Sequence, residues 1–378
     1  MSMQRYPAVE DLARRARRRI PRFAFDYVDG GIGPETGVRR NRERLDAVTL
    51  VPRYLVDVAR IDLTTELFGM RHAAPFGIAP MGLSSLMWPG TERILAGTAA
   101  RAGIPYGLST VCTVDMEEIP PIAGDKAWFQ LYAPGDEALA LDIVGRAREA
   151  GFSALAITVD VPVAGRRERD IKNGLSVPPR ITADTIYRAA IRPAWSLATL
   201  AAGRPRFRTL ERYVPPGMDI ATFINRRFAT SLTWDLVKRI RDAWPRPLML
   251  KGILRPAEAD TALAIGVDGI WVSNHGGRQL DAAPAAIDVL PAIVAAVAGR
   301  APVLVDSGVS SGLDVARCLA RGADFVLAGR AFMWGVCALG AEGGDHAVAI
   351  LRDGLATTLA QLGCPAARDL DGSWLAET

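Results

Sequence analysis

The nine residues Ser273-Asn274-His275-Gly276-Gly277-Arg278-Gln279-Leu280-Asp281 set one of the chain's three histidines beside an arginine and an aspartate in a glycine turn. Imidazole titrates near neutrality, and a guanidinium can fork onto a carboxylate. Together they suit proton abstraction from a small organic acid. Read alone, the stretch is more simply a loop whose histidine bonds its neighbours, so its setting decides.

The run Gly269-Ile270-Trp271-Val272 just before it reads as a short buried strand, which puts His275 at a strand's C-terminal end. Similar apolar runs cover 75–80, 105–110, 127–132, 154–160, 247–252, 269–274, 302–307 and 324–329, eight in all. Helix-like stretches at 91–102, 136–150, 233–243, 256–265, 286–298 and 313–321 lie between them. Eight strands alternating with helices predict an α/β fold, a TIM (β/α)8 barrel whose strand C-termini share one face. One connection breaks the rhythm: residues 161–246 form a long insertion after strand 4, where a few residues and a helix are usual. Residues 1–73 read as an N-terminal helical cap, with helices at 8–20 and 35–45, then short extended pieces. Between those helices, a helix end and glycine turn place Tyr27. The whole, residues 1–378, is expected to form a single domain.

A hydrophobic content of 49% suffices for a core and excludes a disordered chain. The net charge of +4 is unevenly spread: residues 161–230 hold 13 Arg/Lys against 5 Asp/Glu, a surplus of +8, leaving −4 elsewhere. Nucleic acid and an anionic membrane surface are both partners for such a surplus, and no specific nucleic-acid binding is expected. Residues 186–197 mix apolar groups, Trp195 and arginines. They suit a membrane interface or, equally, a mobile lid or oligomer contact. The four cysteines (Cys112, Cys318, Cys337, Cys364) have no metal-ligand or CxxC spacing and imply a reducing compartment, with no metal site expected. No signal peptide or membrane-spanning run is expected.

The strand ends carry Ala79-Pro80-Met81, Ser109, Gln130 with Tyr132, Thr158 with Asp160, Lys251, Ser273 with His275, Asp306-Ser307-Gly308 and Gly329-Arg330. The last two fall after strands seven and eight, the usual phosphate corner of this fold. Lys251 is then a Schiff-base amine, a cation beside a redox cofactor, or a lysine reaching solvent; a phosphate corner favours the second.

These residues, with Phe25-Asp26-Tyr27, Trp128-Phe129-Gln130-Leu131-Tyr132, Gly165-Arg166-Arg167-Glu168-Arg169-Asp170, Lys251-Gly252 and the nonapeptide, resemble the FMN-dependent 2-hydroxy-acid dehydrogenase/oxidase family in order from about residue 6 to 365. The resemblance implies bound FMN and oxidation of an (S)-2-hydroxy acid to the 2-oxo acid. His275 would take a proton from C2 or from the hydroxyl, and Asp160 would pair with its imidazolium. Arg278 and Arg167 would hold the substrate carboxylate, with Tyr27 and Tyr132 bonding the carboxylate and the reacting oxygen. Lys251 would face the N1/O2 edge of the flavin, Ser109, Gln130 and Thr158 its ring, and Ala79, Pro80 and Met81 would pass beside it. Ser273 would lie near the cofactor, and Asp306, Ser307, Gly308, Gly329 and Arg330 would take the ribityl chain and phosphate.

Within the family, the resemblance is strongest to the mandelate and respiratory L-lactate dehydrogenase branch. Gly82 stands where the oxidases usually carry alanine, 241–245 is mandelate-like, and the basic insertion resembles that branch's membrane-binding loop. This implies peripheral membrane contact through residues 180–215 on the inner face of the cell membrane, a quinone acceptor and, by family habit, a homotetramer. Leu83, Met87 and Trp88 could wall a pocket for an aromatic side chain. A soluble oxidase using O2 and an FMN-bound isomerase are the alternatives.

Overall fold

A computed structural model of the chain describes residues 3–175, 182–227 and 232–376. Eight parallel strands close into a barrel: β1 (Phe76–Ile78), β2 (Tyr106–Ser109), β3 (Ala127–Leu131), β4 (Ala154–Thr158), β5 (Leu248–Ile253), β6 (Gly269–Val272), β7 (Val303–Val305) and β8 (Phe325–Ala328). Closure comes from β8 pairing β1, with Val326 opposite Phe76. Every strand residue is buried, since helices cover the outer faces and side chains fill the interior. That is why the strands read as continuous apolar runs rather than alternating ones. Most predicted runs extend past the observed strands at the C-terminal end, and those extra polar residues build the barrel mouth.

The opposite end is closed by a small antiparallel hairpin, Thr65–Leu67 with Met70–His72, which the sequence shows only as short extended pieces. Its turn is Phe68-Gly69, both at positive φ (53° and 71°). Phe68 reaches to 6.4 Å from the Trp128 ring and leaves no room at Gly269, where a Cβ would sit 2.8 Å from its ring. Trp128, Trp271, Phe325 and Met249 fill the interior above it.

The cap contains helices Val9–Arg19, Arg22–Asp29 and Thr36–Asp46. The first packs along helix Arg330–Leu339, which follows β8. The insertion holds helices Glu168–Lys172, Ala183–Ala190, Pro193–Ala202, Arg208–Glu211 and Ile220–Arg227, then Trp234–Ala243, the helix that leads into β5. The Thr233 hydroxyl accepts from Leu236 N at 3.3 Å and starts that helix. Positions 180 and 181 of the expected membrane segment lie outside the described residues. Trp195, expected among the groups that would enter a membrane, is buried instead. Its Nε1 donates to Leu86 O (3.0 Å) and its ring meets Phe23 edge-on at 5.7 Å, so it fastens the insertion to the barrel top. Among the described residues no helix is long and apolar enough to cross a membrane.

Candidate active site

The strand C-termini, the end of helix Arg22–Asp29 and the loop after β4 enclose a cavity of about 680 Å3. His275 lines it with φ +59°, a left-handed backbone that a non-glycine residue adopts at a cost of order 1–3 kcal/mol. The turn is fixed by the Ser273 hydroxyl, which accepts from His275 N (3.0 Å), and by Ser307 Oγ, which accepts from Asn274 N and Gly276 N (3.2 and 3.1 Å). The imidazole is held at both nitrogens, Nδ1 to Asp160 Oδ1 at 2.9 Å and Nε2 to Tyr132 OH at 3.2 Å. Burial lowers the His275 pKa below the ordinary histidine value, with Lys251 adding to the effect; Asp160 opposes it. Burial alone would raise the Asp160 carboxyl, yet His275 and Lys251 outweigh it and hold the group ionised. The result is an imidazole that favours its neutral form, with an ionised carboxylate at Nδ1 that would stabilise a gained proton.

Three guanidiniums surround this relay. Arg278 donates to Val28 O and Gly30 O (3.3 and 2.7 Å), and Arg330 to Val28 O, Gly276 O and Gly30 O (2.9, 3.0 and 3.3 Å). Burial, with Arg167 and Arg330 beside it, pushes Arg278 down to about 9. Arg167 and Arg278 stand 5.6 and 5.3 Å from the Tyr27 ring centre, and Tyr27 OH points to Gly82 O at 3.5 Å. The loop carrying Arg167 is tied to the cap: Glu168 accepts from Gly33 N at 2.8 Å, and Arg169 pairs with Asp29 and Glu35. Half-buried cations facing a cavity and bonded mainly to neutral carbonyls are a seat for an anion.

Lys251 donates to Ser273 Oγ (3.0 Å) and lies 3.3 Å from Asp306 Oδ2, with Trp271 Nε1 on the same carboxylate at 3.1 Å. A lysine so held is a fixed cation, which favours the cofactor-facing reading over a Schiff-base amine. Ala79, Pro80, Met81, Gln130, Thr158, Lys251, Asp306, Ser307, Gly308, Gly329 and Arg330 all line the cavity, as do Tyr27, Tyr132, Arg167, His275 and Arg278. Asp160, Ser109 and Ser273 stand behind its wall. Ser109 donates to Gln130 Oε1 at 2.8 Å and Ser273 to Asp306 Oδ1 at 2.5 Å. Of the residues expected to wall an aromatic pocket, Met87 lines the cavity; Leu83 packs into the core, and Trp88 lies under the Arg19 guanidinium at 3.7 Å.

Two supports escaped the sequence reading. Asn41 and Asn274 exchange side-chain hydrogen bonds (2.7 and 2.8 Å), fixing the His275 turn to the cap helix. Asp281 Oδ1 accepts from Gly37 N at 2.7 Å, at the start of that same helix. The one signal was the spacing of Gly37, Asn41 and Leu45, a buried helix face with a polar residue at its centre.

The residues fit a flavin mononucleotide. Gln130 Nε2 and Thr158 Oγ1 are buried without a partner among the described residues, although buried polar groups are normally paired. They sit on adjacent strands beside Lys251, a row of polar groups suited to the edge of a flat heterocycle. Gly329 is the N-cap of helix Arg330–Leu339, and Gly308 lines the same cavity; a helix N-terminus beside Arg330 suits a phosphate.

Comparison with known proteins bears on this geometry. The FMN-dependent dehydrogenase family model matches residues 16–377. The chain is 37% identical over 368 residues to (S)-mandelate dehydrogenase of Pseudomonas putida, covering 97% of this chain and 93% of that protein. It is 40% identical over 373 residues to L-lactate dehydrogenase of Caulobacter vibrioides, covering 97% of each. The crystal structure of the monotopic membrane protein (S)-mandelate dehydrogenase superposes with a TM-score of 0.93 at 36% identity, covering 98% of this chain and 99% of that one. The chain is therefore a member of the FMN-dependent dehydrogenase family.

Proposed function

We propose that the protein oxidises an (S)-2-hydroxy acid, mandelate-like or lactate, to the 2-oxo acid, with residues 1–378 working as one FMN-binding unit. The observation that carries this is the shared cavity: a carboxylate-backed imidazole faces it beside two half-buried arginines, Arg278 and Arg167. The arginines seat the substrate carboxylate, which fixes the α-carbon in front of His275. Tyr132 and Tyr27 hold the hydroxyl and carboxylate oxygens. His275 Nε2 accepts a proton from C2 or from the hydroxyl, and Asp160 stabilises the imidazolium that forms. FMN, when bound, supplies the acceptor for the two electrons the substrate loses. Ala79, Pro80, Met81, Gln130 and Thr158 would hold its ring, backed by Ser109 and Ser273. Lys251 would supply positive charge at its polar edge, and Asp306, Ser307, Gly308, Gly329 and Arg330 would hold its ribityl phosphate.

The apolar side chains of Met87, Val111, Ile224 and Leu232 also line the cavity, leaving room for an aryl or medium-sized substituent. The reading extends to a peripheral position on the inner face of the cell membrane through residues 180–215, with a quinone as acceptor. The exposed Leu197 and Leu200 (68% and 79%) and the monotopic relative support it. A homotetramer would cover the exposed Tyr54 and Leu55.

The test is the visible spectrum of the purified yellow protein mixed anaerobically with (S)-mandelate or (S)-lactate. Bleaching by either supports the reading and names the side-chain class. Slow return of colour in air, with fast return on a quinone analogue, supports a dehydrogenase; fast return in air means an oxidase. Bound flavin that neither acid bleaches overturns the reading and favours the isomerase.

A further inference from the structure

A second cavity, of about 590 Å3, lies on the arginine-bearing side of helix Val9–Arg19, where that helix meets the start of helix Pro193–Ala202. Arg5, Arg14, Arg15, Arg18, Arg19 and Arg192 line it, opposed by the single carboxylate of Asp11, a net charge of +5. The helix supplies four of these because positions 14, 15, 18 and 19 follow the 3–4 residue spacing of one helical face.

The structure holds this charge without neutralising it. Arg14 pairs with Asp11, and no carboxylate partner is found for the other five among the described residues. Arg15 donates to Ala338 O (2.7 Å) and Tyr6 OH (2.7 Å), Arg19 to Cys337 O (3.1 Å) and Arg192 to Ile20 O (3.2 Å). Neutral acceptors thus fix guanidiniums side by side, and burial, with Arg15 adjacent, lowers the pKa of Arg19. Crowded like charges cost stability unless a polyvalent anion spans them.

The groove's chemistry extends onto an apolar surface. Ile191 lines the groove and is exposed, and the flanking helices expose Ile186, Tyr187, Leu197 and Leu200. Apolar groups that enter an acyl layer, next to arginines that meet phosphate, match an anionic phospholipid rather than a free polar anion. We infer that this groove is a headgroup site for anionic phospholipid, making the N-terminal helix a second membrane arm beside the insertion. The inference rests on the membrane reading above but concerns a separate element, so the two can fail separately.

The test is co-sedimentation of the holoenzyme with phosphatidylcholine vesicles, with and without phosphatidylglycerol. Arg5→Glu/Arg18→Glu changes exposed groove residues that make no side-chain hydrogen bond among the described residues; Leu197→Glu/Leu200→Glu changes the insertion. Flavin spectrum and turnover with a soluble dye acceptor report that each variant is folded, and both should match the parent. The parent should prefer phosphatidylglycerol vesicles, and the arginine variant should lose that preference by about tenfold or more, with little change on phosphatidylcholine alone. If the leucine variant loses binding while the arginine variant keeps its preference, the membrane reading stands and the headgroup site is overturned. If the parent binds no vesicle but inorganic phosphate binds the parent and not the arginine variant, the groove is a soluble-anion site. That too overturns the lipid assignment, and absence of both kinds of binding overturns it together with the membrane reading.

Discussion

His72 and His275 lie at opposite ends of one barrel and desolvation lowers the pKa of both, yet only His275 faces the barrel-mouth cavity. His72, at the plugged end, sits edge-on to Trp128 and Phe325 at 6.4 and 5.4 Å, and neither ring nitrogen has a partner among the described residues. Desolvation pushes it down to about 4, with Lys126 adding to the shift. His275 is bonded at both nitrogens and backed by a carboxylate. Burial alone therefore makes an inert neutral ring. Desolvation beside a carboxylate and an open cavity gives the arrangement that we propose acts as a base.

Substitutions can break or sharpen this contrast. The largest effect is expected for His275→Asn, which should keep the flavin spectrum but slow anaerobic reduction by substrate about 10²–10⁴-fold in stopped flow. Asp160→Asn should slow the same step roughly tenfold to hundredfold, the range typical when a group orienting a functional histidine is lost. Arg278→Lys keeps the charge but loses the planar fork, and should weaken substrate affinity about tenfold in titrations of the reduction rate.

At the other end, His72→Phe should leave turnover unchanged and alter only stability against pH. His72 binds its proton less readily folded than unfolded. Its contribution is thus present above about pH 6.5 and lost as pH falls toward 4, up to about 3 kcal/mol. Denaturant titrations of the variant should show a flatter loss across that window. The smallest effect is expected at Gly82, where an added Cβ would sit 2.5 Å from Val111 Cγ2. Gly82→Ala should change the reduction rate severalfold, and Val111→Ala in the same chain should restore much of it by relieving the overlap.

The barrel was legible because its strands are buried on both faces, so each reads as an unbroken apolar run ending in polar residues. The Ser273–Asp281 stretch was legible because one strand end and one turn carry histidine, arginine and glycines together. The hairpin plug was not, since three-residue strands leave no periodicity to detect. Nor was Asn41, whose partner Asn274 lies 233 residues away. Trp195 reads as an interfacial aromatic beside arginines, and only the placement of Phe23 and Leu86 shows that it is a packing anchor. Arg330 lines the cavity, and its guanidinium donates to backbone carbonyls that no local sequence pattern announces.

The central claim is that His275, poised by Asp160, takes the substrate proton. The most direct test is the anaerobic reduction rate by the better of (S)-mandelate and (S)-lactate across pH, in the parent and in Asp160→Asn. Asp160 raises the His275 pKa, so the parent should lose rate on the acid side as the imidazole protonates. In the slower Asp160→Asn variant, that fall should move to lower pH. A reduction rate that ignores pH, or a fall that stays in place without Asp160, would contradict the account.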